Sequence, residues 1–175
     1  METDLLEHRI IYLAGELDYE NGTKICGELA YLDKASKEEI TFLINSPGGG
    51  TETCLGIYDM MQTIRSPIKT ICVGEACSAA ACLLAWGSPG RRLCSLRSYV
   101  MIHKMEVEAV GNIINIDRMQ FINKHIQKEI NKLLAKHTGQ PLKKIEKDCE
   151  NDHYLTAKEA IKYGIVDGLL SKANR

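Results

Sequence analysis

Two hydrophobic periods alternate along the chain, one of about two residues and one of three to four. Arg9-Ile10-Ile11-Tyr12-Leu13, Glu39-Ile40-Thr41-Phe42-Leu43-Ile44 and Lys69-Thr70-Ile71-Cys72-Val73-Gly74 are short apolar runs rich in β-branched residues and predict strands. Between them, Ile25, Leu29, Tyr31 and Leu32 follow helical spacing from an opening at Asn21-Gly22-Thr23. A second helix carries Leu55, Ile57, Tyr58, Met61 and Ile64 and is closed by Ser66-Pro67, because the residue before proline disfavours helical backbone. Ser98-Tyr99-Val100-Met101-Ile102-His103 is a further apolar run with a histidine at its end. The longest helical pattern runs from Asn115 to His137, with Ile116, Met119, Ile122, Ile126, Ile130 and Leu133 at three- and four-residue steps and Gly139 placed to stop it. Pro141 stands at the first position of the next helix, and Thr156-Ala157-Lys158-Glu159 spells a capping box for the last one, ended by Gly164. Strand followed by helix over short loops predicts a layered α/β domain.

The stretch from Gly74 to Gly87 departs from this routine. A strand meets glycine, then Glu75-Ala76-Cys77-Ser78, then an apolar helix beginning Ala79-Ala80-Ala81-Cys82-Leu83-Leu84. A serine at such a junction has its hydroxyl beside unpaired backbone N–H groups, which favour developing negative charge. Small neighbours let a substrate carbonyl approach. This is the logic of a nucleophile elbow without the usual glycines. The competing reading is a buried Ala/Leu helix with Ser78 as its N-cap. Asn45-Ser46-Pro47-Gly48-Gly49-Gly50 follows a buried strand, and three successive glycines suit backbone that turns tightly or lies against a ligand. His103 supplies a base candidate, with a satisfied edge histidine as the alternative.

Composition narrows the function classes. The 175 residues are 45% hydrophobic and 26% charged, as in one ordinary globular domain with a sizeable core. A net charge of −1 provides no field for nucleic acid or an anionic membrane. Lys124, Lys128, Lys132 and Lys136 recur at four-residue steps, and without interleaved aromatics they read as a solvated helix face. No apolar run approaches a membrane span, and Met1-Glu2-Thr3-Asp4-Leu5-Leu6 lacks a signal-peptide core, so a cytoplasmic location is expected. The seven cysteines are odd in number and contain no C-x-x-C pair, which reads as reduced core residues and neither a disulfide frame nor a metal site. Cys77, beside Ser78, is either a packed small hydrophobe or an oxidation-sensitive thiol.

Taken together, Ile44-Asn45-Ser46-Pro47-Gly48-Gly49, the Gly74 to Gly87 block, Met101-Ile102-His103, Leu134-Ala135-Lys136-His137-Thr138-Gly139-Gln140, Ile145-Glu146-Lys147-Asp148 and Ala160-Ile161-Lys162-Tyr163-Gly164-Ile165-Val166-Asp167 resemble the proteolytic subunit of the Clp protease, the ClpP family of serine endopeptidases. The resemblance covers Leu5 to about Leu170. It implies a crotonase-like fold of repeated β-β-α turns forming a spiral, with one domain over residues 1–175 and a protruding handle helix within about 104–137. It also implies Ser78 as nucleophile, His103 as general base and Asp152 as the residue that orients the histidine, with Asp148, one helical turn earlier, as second choice. The oxyanion donors it implies are the backbone N–H groups of Gly49 and Ala79. No cofactor or metal is expected. The implied partners are peptide or unfolded-protein substrates and copies of the chain in two stacked seven-subunit rings, with a Clp-type ATPase or a second ClpP-like subunit as further candidates.

Three departures from the family pattern bear on those partners. The chain starts almost at the first core strand, where the family has a segment forming loops around an axial pore. Thr41, Leu43 and Thr63 stand where aromatics usually line the ATPase docking pocket. Lys104-Met105-Glu106-Val107-Glu108-Ala109-Val110 alternates like a regular strand where the family has a Pro- and Gly-rich hairpin, of whose glycines only Gly111 remains. Three readings stay open: an active peptidase, a structural or regulatory subunit working with another ClpP-like chain, and an acyl-CoA enzyme of the same fold, which would leave Ser78 and His103 without purpose.

Overall fold

The computed structural model describes residues 2–106 and 112–171. A short helix α1 (Glu2–Glu7) leads to β1 (Ile10–Ala14). Arg9 is not the first strand residue, as the apolar run suggests. It takes the left-handed conformation at φ 58°, and its guanidinium donates to the carbonyls of Leu32 (3.0 Å) and Glu38 (2.8 Å). Helix α2 (Tyr19–Ala35) begins earlier than expected because Asp18, not Asn21, is the N-cap. Asp18 accepts from the Asn21 N–H and the Asn21 side chain accepts from the Asp18 N–H, a reciprocal cap that fixes the start. Then come β2 (Ile40–Ser46), α3 (Thr51–Thr63), β3 (Ile68–Cys77) and α4 (Ala79–Ala85).

The sheet is parallel in the order β1-β2-β3-β4-β7, where β4 is Arg92–Cys94 and β7 is Gly168–Leu169. Strand β3 does not stop at Gly74 as its sequence suggests. Its first half pairs with β4 through Thr70↔Arg92 to Cys72↔Cys94, and its second half pairs with β5 (Tyr99–Ile102) through Glu75↔Tyr99 to Cys77↔Met101. Gly74 is where the strand changes partner. Its φ of +98° suits glycine, and a Cβ there would lie 2.4 Å from Asn45 Oδ1, the oxygen that accepts from the Glu75 N–H. A register shift against β2, from Ile44↔Cys72 to Ser46↔Ala76, absorbs the extra residues. The outer strand β6 (His153–Thr156) pairs antiparallel with β5.

All residues of α4 are buried, which puts this helix at the centre of the core with Phe42, Ile57 and Trp86 around it. Burying such side chains contributes roughly 1.5–3 kcal/mol each before conformational entropy is subtracted. Helix α5 (Ile113–Thr138) is two-sided along its length. Leu134 and Asn131 near its end are buried, whereas Met119 and Ile122 of the apolar stripe are exposed together with Ile114 and Phe121. Lys124, Lys128, Lys132 and Lys136 are all exposed, in keeping with a solvated face. Gly139 ends α5 in the left-handed conformation, and Pro141 caps α6 (Leu142–Asp148) from just outside its first turn. Helix α7 (Ala157–Tyr163) has the expected Thr156/Glu159 capping box and ends at Gly164. Residues Lys104 to Glu106 are not a regular strand, and positions 107–111 of that expected element, Gly111 included, lie outside the described residues.

Three helix ends meet on one side chain. The Arg92 guanidinium donates through Nη1 to the carbonyls of Ala85 (3.2 Å), His137 (2.8 Å) and Gly164 (2.9 Å), at the C-terminal ends of α4, α5 and α7. The negative ends of these helices favour a cation there. Asp167 closes the arrangement, accepting from Arg92 Nε at 3.0 Å and Nη2 at 2.5 Å. Burial raises the Asp167 carboxyl, but the bonds and charge of Arg92 outweigh it, so its pKa lies below the ordinary value. Nearby, the His137 ring packs edge-on against Tyr58, with Tyr58 Oη 3.3 Å from Nε2. Burial, with Lys136 and Arg92 adding to it, pushes the His137 pKa down to about 4.

A histidine whose folded pKa lies below its unfolded value stabilises the fold in its neutral form. That contribution is present in full above about pH 6.5 and is lost as pH falls towards about 4, because only the unfolded chain takes up the proton in this window. Urea midpoints should therefore drop between neutral and mildly acidic pH, and His137→Gln should flatten that dependence; an equally steep dependence in the variant would exclude His137 as its source.

Candidate active site

Ser78 stands between β3 and α4 with φ 54° and ψ −123°, a conformation that L-residues avoid. Such strain costs on the order of 1–3 kcal/mol and persists only where the surroundings enforce it. Here the Ser78 N–H donates to Met101 O at 2.8 Å, continuing the β3–β5 pairing one residue beyond the strand. On the helical side, the Cys82 N–H donates to Ser78 O at 3.2 Å. Although Ser78 occupies the N-cap position, its side chain makes no capping bond. Its Oγ instead lies 2.8 Å from His103 Nε2. A serine that served only to cap α4 would point at the helix N–H groups, so the simple N-cap reading does not describe this residue.

Strand register brings the histidine there. Met101 is held opposite Cys77, and two residues further along β5 the chain delivers His103 beside the Ser78 turn. On the other side of β5, the antiparallel register Ile102↔His153 places Asp152, the residue before β6, across from His103. Asp152 Oδ1 lies 3.3 Å from His103 Nδ1. The imidazole side chain is 16% exposed and the carboxylate 53% exposed, so the ring is shielded while the acid stays hydrated. Asp148, the second choice from sequence, is engaged elsewhere. It pairs with Lys144 and accepts from Tyr163 Oη at 2.7 Å. Burial raises its carboxyl, and these two partners reverse the shift and hold it below the ordinary value.

The glycine turn after β2 is pressed against the serine turn. A Cβ on Gly48 would lie 2.6 Å from Cys77 O, 2.8 Å from Ser78 Cβ and 3.0 Å from the Ala79 nitrogen. A Cβ on Gly49, whose φ is +146°, would lie 2.3 Å from Leu17 O. Glycine is required at both positions because backbone occupies the space a side chain would fill. The turn is further held by Leu17 N–H to Gly48 O at 2.7 Å and Gly50 N–H to Leu17 O at 2.7 Å. Gly49 and Ala79 thus line one cavity of about 360 Å³ together with Ser78 and His103.

The floor of that cavity is formed by Cys54, Cys82 and Leu134, all buried. Burial pushes both thiols well above the ordinary range, so they remain neutral. Cys77 is buried too, and burial followed by Glu75 raises its thiol to about 11, which describes a packed hydrophobe and not a reactive thiolate. All seven cysteines are free thiols. Sequence reasoning missed Gln127 on α5. Its Oε1 accepts from the Met105 N–H at 2.7 Å and its Nε2 donates to Asn131 Oδ1 at 2.8 Å, tying the segment after His103 to α5. Gln127 lies on the same turn pattern as Asn131 and Leu134, and that spacing was the available signal. Among the described residues no group of three or more His, Cys, Asp or Glu side chains is arranged to hold a metal ion, and no helix is long and apolar enough to cross a membrane.

Residues 1–173 match the sequence model of the Clp protease family. The ATP-dependent Clp protease proteolytic subunit 1 of Rhodopirellula baltica is 39% identical over 167 residues, covering 95% of this chain and 74% of that protein. With a match across nearly its whole length and a relative of this identity and coverage, the chain belongs to the Clp protease family.

Proposed function

We propose that this protein is a serine endopeptidase that cleaves peptides and unfolded proteins through Ser78, His103 and Asp152. The observation that carries this reading is the Ser78 Oγ to His103 Nε2 approach of 2.8 Å with Asp152 on the opposite ring nitrogen, inside a cavity that also contains Gly49 and Ala79. Serine hydroxyls are not ionised at neutral pH and need a base to attack a carbonyl. Asp152 Oδ1 stands 3.3 Å from His103 Nδ1, and a neutral imidazole with its proton on that nitrogen offers a lone pair on Nε2.

In the proposed reaction, Ser78 Oγ bonds to the peptide carbonyl carbon as its proton passes to His103 Nε2. The negative charge on the carbonyl oxygen is received by the N–H groups of Gly49 and Ala79; removal of one such donor typically costs about 3–4 kcal/mol in the barrier. Collapse breaks the C–N bond, the amine leaves with the proton from His103, and an ester remains on Ser78. Water then attacks that ester with His103 as base, releasing the carboxylate and restoring the serine. The protein side of this chemistry is complete with these residues.

Assembly into stacked seven-subunit rings enclosing the sites belongs to the same proposal. The exposed Ile114, Phe121 and Ile122 on the N-terminal half of α5 support it, because that apolar surface gains by burial against another subunit. Seven free thiols, six of them buried, suit a reducing compartment such as the cytoplasm.

A serine-directed fluorophosphonate should label the purified protein at Ser78, and Ser78→Ala should abolish the label; an unlabelled assembled protein would count decisively against the reading. Asp152→Asn should lower kcat by roughly three to four orders of magnitude through the wrong histidine tautomer. Asp148→Asn should act on stability, with kcat near that of the parent. Equal losses of kcat in the two variants would remove the distinction. Peptide hydrolysis measured with native mass on one sample tests self-sufficiency, and activity appearing only on addition of a second ClpP-like chain would establish the partner-dependent alternative.

A further inference from the structure

The cavity beside Ser78 is electrically one-sided. Its buried lining includes Cys54, Cys82 and Leu134, and two exposed acidic residues from separate elements, Glu16 and Glu106, line it as well. Among the described residues that line it there is no lysine or arginine. Both carboxylates are carried by anchored backbone. Glu16 lies in the link from β1 to α2, where Gly15 N–H donates to Asn45 O at 3.0 Å, Leu17 N–H to Gly48 O at 2.7 Å and Asn21 Nδ2 to Glu16 O at 2.6 Å. Glu106 follows Met105, whose N–H is held by Gln127, itself bonded to Asn131, a side chain only 8% exposed.

We propose that this cavity receives the side chain on the acyl side of the scissile bond and selects lysine or arginine there, the aliphatic stem lying on the Cys54–Cys82–Leu134 floor and the cationic head reaching Glu16 and Glu106. The inference rests on the peptidase reading above and specifies its substrate class. Lysine and arginine have the required two-part character, a long apolar stem and a charged tip that stays near water. A leucine satisfies the floor but leaves the carboxylates unused. An acidic side chain meets like charge at the wall, and juxtaposed like charges are an efficient means of rejection.

The test uses the assembled full-length protein and three fluorogenic peptides differing only in that residue: lysine, leucine or glutamate. The lysine peptide should exceed the glutamate peptide in kcat/KM by about tenfold or more, and raising the salt from about 0.1 M to about 1 M should shrink that ratio. Glu16→Gln with Glu106→Gln should lower the lysine-to-leucine ratio several-fold, and Glu16→Lys with Glu106→Lys should turn the preference towards glutamate. Binding of the same peptides to Ser78→Ala, followed by fluorescence anisotropy, reads the preference without turnover. Lysine and glutamate peptides handled alike, or a ratio unmoved by charge reversal, would overturn the proposal. If no peptide is cut and no fluorophosphonate label appears, the peptidase reading falls by itself, while the anisotropy series still decides whether the cavity selects cations.

Discussion

The left-handed backbone at Ser78 is the constraint on which the arrangement depends. At φ 54° the chain leaves a strand and enters a helix in one step, lifting the hydroxyl out of the sheet towards His103. The conformation is unfavourable in isolation, and the fold holds it from three directions. Met101 O takes the Ser78 N–H, the whole of α4 is buried behind it, and Gly48 is packed so closely that a methyl group there would collide with Cys77 O, Ser78 Cβ and the Ala79 nitrogen. Strain of on the order of 1–3 kcal/mol is small beside the burial of a core helix, so the turn is rigid and the hydroxyl is preorganised.

Strand pairing does the rest of the positioning. Because β3 continues through Gly74 to Cys77, the edge that pairs with β4 runs on to pair with β5, and β5 in turn presents its far edge to β6. The serine, the histidine and the aspartate sit at the ends of three neighbouring strands, in registers fixed by backbone bonds. A slip of one residue in either pairing would turn His103 or Asp152 to the other face. Arg92 stabilises the opposite side of the core by gathering the C-terminal ends of α4, α5 and α7.

Helix α5 links site and surface. Its C-terminal half packs into the core and supplies Gln127, Ile130 and Leu134 to the cavity, while its N-terminal half carries exposed apolar residues. The same helix therefore carries both the exposed apolar residues and Gln127, which holds the Met105 N–H two residues beyond His103.

By itself the sequence determined what local chemistry can determine. The strand–turn–helix at Ser78, the glycine turn at Gly48-Gly49, the capping box at Thr156 and Glu159 and the stops at Gly139 and Gly164 each follow from propensities acting within a few residues. The resemblance added Asp152, which no local rule separates from Asp148 one helical turn away. Other features depended on residues distant in the chain. Strands β4, β6 and β7 are too short for periodicity to reveal, the apolar stripe of α5 does not say which of its residues are covered, and β3 passes through Gly74 because Asn45 from β2 and Tyr99 from β5 are waiting on either side. Tertiary structure also gave the two aspartates different partners. Lys144 and Tyr163 occupy Asp148, while the β5–β6 register turns Asp152 to His103, and a hydrogen-bonding group is defined by the partner that the fold brings to it.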